Sequence, residues 1–163
     1  MTLFPWLLFL HIFGAIVAFG AAFSALPLLG AMSAKEPAHA NFAARISETV
    51  GTKVIRPLAA LQGITGLGLL LVTGIDLTKA LWLDVAIVLY LTAFAYALFV
   101  QIPVGHQLVK LTSYGPPLAP PGGGAPMGPP TELLAAGAKA RQGGIIIAIL
   151  ITTIVFLMVV KPF

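Results

Sequence analysis

The sequence predicts an all-α fold: a transmembrane four-helix bundle running up-down-up-down, with both termini on the non-cytoplasmic side. Three observations predict it. Hydrophobic residues fill 59% of the 163 positions and charged residues only 9%, a balance foreign to a water-soluble domain. Four stretches are long enough to cross a bilayer, since a span needs about 20 apolar residues at about 1.5 Å rise each. Seven of the nine Lys and Arg residues fall before the second span or between the third and fourth, which this alternation puts on one face.

The first helix is expected over about residues 3–32. Phe9, Ile12, Ile16, Phe19 and Phe23 recur at spacings of three and four and mark a bulky face for lipid. His11, Ala15, Ala18, Ala22 and Ala25, with Gly14 beside them, form a narrow stripe that lets a neighbouring backbone come close, so His11 points into the bundle. No Lys or Arg precedes this run, and it exceeds the about 7–15 apolar residues of a signal peptide, so it reads as a resident helix. Residues 33–56 turn polar, and the spacing of Phe42, Ile46 and Val50 predicts a short amphipathic helix over about 38–52 on the membrane surface. Pro57 suits the first turn of the second span, expected over about 57–75, where Gly63, Gly66 and Gly68 supply another close-packing surface.

The third span is expected over about 79–102, ended by Pro103 and Gly105. Seven prolines and five glycines between Ser113 and Pro130 cannot bury a core and predict a loop over 113–130. Thr131 and Glu132 suit the start of the fourth helix, about 133–160, whose uninterrupted apolar run extends from Ile145 to Val160. The whole chain, 1–163, is one membrane domain. Lys35, Arg45, Lys53, Arg56, Lys110, Lys139 and Arg141 define its cytoplasmic face by the positive-inside rule, while Trp6 and Trp82 fall at the opposite interface, where tryptophan anchors.

Composition also closes several routes. With no cysteine there is no disulfide, thiolate metal site or cysteine nucleophile. The net charge of +4 comes from residues scattered over loop ends, with no basic helix or aromatic-basic surface, so nucleic acid is not an expected partner. No serine triad or metalloprotease motif is present, and Gly122 to Gly124 lack the strand and helix that a phosphate-cradling loop needs.

An ionisable residue within the hydrocarbon is costly unless it is paired or bound, which singles out His11 and Asp84. His11 reads either as a neutral imidazole bonded to a helix carbonyl, Asp84 or Tyr90, or as a ligand. Haem b suits one imidazole in an apolar helical bundle better than zinc, which wants four ligands. His39 and His106 lie toward the cytoplasmic face, about 25 Å from His11 in the case of His106, so one haem cannot use both; Met158 is a weak second axial candidate. Asp84 reads either as an interfacial carboxylate beside Trp82 and Lys79 or, with Tyr90, as a proton relay. Arg56 fits a lipid phosphate or a cofactor propionate. Gln62, Thr65, Thr73, Thr92, Gln101, Thr152 and Thr153 read as groups that hydrogen-bond between helices.

Leu10, His11 and Ile12 in the first span, Pro27 near its end, Trp82 opening the third span and Val159 to Phe163 at the close resemble the HemJ-type membrane protoporphyrinogen oxidases. The chain is similar, more closely, to an uncharacterised bacterial family of predicted four-helix integral membrane proteins with that pattern. The resemblance implies the bacterial inner membrane, and it implies a haem-binding role for His11. Leu28 stands where the oxidases have a basic residue, and no lysine occurs between Lys79 and Lys110 where they have one, so the resemblance leaves oxidase activity unsupported. The leading expectation is a HemJ-like membrane protein holding haem b through His11 in a redox-linked role. The competing one is a non-catalytic accessory or structural subunit of a larger membrane complex. Lipids are the expected surroundings, with a homo-oligomer or other membrane subunits as partners.

Overall fold

Small residues face inward and large ones outward in this molecule, the reverse of a water-soluble core. Ala18, Ala43, Ala86, Ala93, Ala136, Gly14 and Gly143 are buried, whereas Ile64, Leu71, Val88, Phe99 and Ile149 are all more than 60% exposed. Lipid tails cover such a surface as readily as another side chain would, and close backbone approach is what then holds helices together. The computed structural model describes residues 3–113 and 130–162, which form four long helices: α1, Phe4–Lys35; α2, Pro37–Thr73; α3, Leu81–Thr112; and α4, Thr131–Val160. All four are long and apolar enough to cross a membrane. The Pro/Gly-rich loop expected over 113–130 lies almost wholly outside the described residues.

Two boundaries differ from expectation for one reason. The second helix begins at Pro37 rather than Pro57, and the third continues through Pro103 and Gly105 to Thr112. A proline lacks the N–H for the helix ladder, and its ring collides with the carbonyl four residues back. Here that carbonyl sits in a widened turn each time: the π turns Ala21–Ala25, Val50–Ile55 and Ala97–Gln101 end two residues before Pro27, Pro57 and Pro103. The helix absorbs each proline instead of stopping, as buried membrane helices do by local π adjustment.

The segment expected as a surface helix over about 38–52 is accordingly the first part of α2. Over Ala40–Thr49 it packs against the last turns of both α1 and α3. Asn41 fastens it: Nδ2 lies 3.2 Å from Val109 O, 3.1 Å from Thr112 Oγ1 and 3.2 Å from Ser113 Oγ, and its two protons serve the end of α3. Glu48 Oε1 and His106 Nδ1 add a polar contact at 3.5 Å.

Two hairpins result. α1 packs along α2 and α3 along α4, and contact between the pairs is concentrated at the end carrying Lys35, Arg45 and Lys110. At about 1.5 Å per residue the 32-, 37-, 32- and 30-residue helices are about 45–55 Å long, well beyond a hydrocarbon core of about 30 Å. Arg56 and Arg141 lie level with the π turns toward one end of the spans, and Trp6 and Trp82 lie toward the other.

Candidate functional site

Antiparallel packing brings equal depths of α1 and α2 together: His11 lies seven residues after Phe4, and Thr65 eight before Thr73. His11 Nδ1 and Thr65 Oγ1 share a hydrogen bond of 2.9 Å. Beside it Gln62 Nε2 donates to the His11 carbonyl at 2.6 Å. Thr65 is 2% exposed and Gln62 6%, and they are the buried polar residues of the described bundle. Three residues apart on α2, they share one helix face, so both meet α1 in the same place.

Glycines make the room. A Cβ on Gly14 would lie 2.9 Å from Gln62 Nε2, and one on Gly66 would lie 3.3 Å from His11 Cε1. On the neighbouring face of α2 a Cβ on Gly63 would lie 2.6 Å from the Tyr90 hydroxyl, which donates to Ala59 O at 2.9 Å and so ties α3 to α2. Gly143 of α4 opens the corresponding space for Gln101 and Tyr96 of α3, where Gln101 Nε2 donates to Ala140 O at 3.1 Å. Gln101 Oε1 is buried without a partner among the described residues.

The remaining expected site residues fall elsewhere. His11 bonds neither Asp84 nor Tyr90. Asp84 occupies the first turn of α3, half-buried, its carboxylate with no hydrogen bond or ion pair among the described residues, while Lys161 Nζ lies 5.3 Å from the centre of the neighbouring Trp82 ring. Arg56 is exposed nine residues before Thr65, about 14 Å along α2. Met158, half-buried on α4, belongs to the other hairpin, and His39 pairs with Glu36 at 3.1 Å. No group of three or more His, Cys, Asp or Glu side chains converges on a metal position among the described residues. Of the threonines expected to bridge helices, Thr73, Thr92 and Thr153 donate to the carbonyl four residues back in their own helix, which a short hydroxyl side chain reaches first. Thr65 and Gln62 were legible only as bridging groups; their depth, matching that of His11, is the signal that assigns them to it.

Fold and site together define a polytopic α-helical membrane protein with one polar cluster, His11, Gln62 and Thr65, inside its first hairpin. The chain belongs to the family described as Predicted integral membrane protein (DUF2269), whose profile matches residues 5–120. That match covers α1 to α3, and therefore the whole cluster. No curated protein and no solved structure matches the chain.

Proposed function

We propose that this protein holds a b-type haem through His11 and serves a redox-linked role in the bacterial inner membrane, with both termini outside the cytoplasm. One observation carries the reading: among the described residues His11 Nε2 has no hydrogen-bond partner, yet it is not sealed in, because Gln101 Oε1 is the one fully buried polar side-chain atom left without a partner there. A membrane histidine gripped through one nitrogen and open at the other suits an axial ligand. The HemJ-type resemblance of Leu10, His11 and Ile12 supports the same role, and Arg56, about 14 Å along α2 from Thr65, would be the cation for a propionate. Bound haem would supply one-electron chemistry; His11 would bind it, and Thr65 and Gln62 would hold His11. The seven basic residues on one face support the orientation.

Purified in detergent, the protein is expected to take up ferric haem with a strong visible absorption band that His11→Ala abolishes and Arg56→Gln weakens. Absence of that band in the wild type excludes the reading. An accessory subunit is the second reading, favoured by Phe42, Met32 and Leu134, which are exposed toward the basic end beyond Arg56 and Arg141, where lipid tails do not reach. Co-purification of the same membrane subunits with wild type, lost in Phe42→Asp, is its expected mark.

A further inference from the structure

The ring of His11 has one proton to place in its neutral form, and the polar atoms around it decide where. Thr65 Oγ1 has a single proton too and lies 2.8 Å from Leu61 O, a carbonyl that only accepts. Donation to that carbonyl uses the hydroxyl proton, leaving Oγ1 to accept from His11 Nδ1 at 2.9 Å. Both protons are then bonded. The alternative puts the ring proton on Nε2, which has no acceptor among the described residues, and within an apolar span an unbonded N–H is costly. Gly66 keeps the ring in this pose, since its missing side chain leaves His11 Cε1 seated on the α2 backbone.

We infer that Thr65 is a positioning residue that fixes the His11 proton on Nδ1 and so presents Nε2 as a bare electron-pair donor. Its importance toward an iron rests on the reading above, whereas the tautomer exists without any ligand. The second nitrogen of a ligating histidine commonly donates to a fixed acceptor, which orients the ring and raises the basicity of the ligating nitrogen. Here the acceptor is a hydroxyl already locked by its own helix.

Nitrogen NMR of the haem-free protein reads the tautomer directly when histidine is isotope-labelled and His39→Gln and His106→Gln leave His11 as the single ring. In mildly alkaline buffer a protonated Nδ1 and a bare Nε2 are expected, retained in Thr65→Ser and shifted toward a protonated Nε2 in Thr65→Val. A ring protonated mainly at Nε2 with Thr65 intact, or an unchanged pattern in Thr65→Val, overturns the assignment. Should Thr65→Val fail to fold, the spectra with Thr65 intact and with Thr65→Ser still decide it. Titration with ferric haem then tests the positioning role: about 10- to 100-fold weaker binding in Thr65→Val with recovery in Thr65→Ser is expected, and equal affinity counts against it. A confirmed tautomer without haem uptake removes the haem reading alone; uptake through His11 with the opposite tautomer removes the Thr65 assignment alone.

Discussion

A single methyl group separates Gly63 from alanine, and it would arrive 2.6 Å from the Tyr90 hydroxyl and 3.2 Å from Tyr90 Cζ. Gly63→Ala therefore forces Tyr90 off Ala59 O, at a cost of about 1–3 kcal/mol by overpacking. Tyr90→Phe removes the hydroxyl that both donates and collides, and costs about 1 kcal/mol for the lost bond. Their effects are expected to be less than additive, because the phenylalanine relieves the closest of the new contacts. Thermal unfolding of the four forms in detergent measures the coupling; a sum within error would mean that the hydroxyl is not what the added methyl meets. Gly20, Gly105 and Gly144 have open space where a Cβ would be, so substitution there meets no steric obstacle.

The turn between α2 and α3 is held by a different kind of bond. Gly74, at φ 61°, ends α2 in the left-handed conformation that glycine takes without strain, and Asp76 then accepts from the Thr78 hydroxyl at 2.7 Å and from its N–H at 3.0 Å. These bonds, the hydroxyl first, hold the Asp76 carboxyl below the usual carboxylate range, with Lys79 3.5 Å away adding to the effect. A pKa lowered on folding gives stability that is complete above the unfolded value, about 3.9, and is lost as pH falls through the folded one. The melting temperature of wild type over Asp76→Asn should therefore hold a constant margin at neutral pH and lose it below about pH 4; a margin unchanged in acid would show that the charge does not hold the turn.

The spans themselves were legible because apolar length alone marks them, and so was the small-residue stripe through Gly14 and Ala18. Pro57 and Pro103 misled because an isolated proline reads as a boundary, and nothing in the sequence announces that a π turn will take up its ring. Ala43 and Gln62 show the consequence. Nineteen residues apart, they would differ by about 100° on an unbroken α-helix, yet both are buried, since the π turn between them takes in about one residue more. Periodicity read as a single wave along α2 therefore loses its phase at Val50–Ile55.

The bundle is asymmetric from end to end: uncharged helix between Arg56 and the α2–α3 turn, and a basic stub beyond. Because the chain has no cysteine, single cysteines report its orientation cleanly. In intact cells a membrane-impermeant maleimide is expected to label Thr78→Cys and to leave Ser33→Cys unlabelled until the membrane is opened; the opposite pattern would invert the molecule.

Across its seams the protein repeats one device. Gln62 donates to the carbonyl of His11, Tyr90 to that of Ala59, Gln101 to that of Ala140 and Asn41 to that of Val109. Each acceptor is main chain, present whatever residue occupies the position, so exchange of Ala59 or Ala140 for another small residue leaves the bond intact, while loss of the donor cannot be repaired by any change opposite. Between these four donors and the residues whose carbonyls they reach, correlated substitution is therefore expected to be silent, unlike at His11 and Thr65, where both partners are side chains.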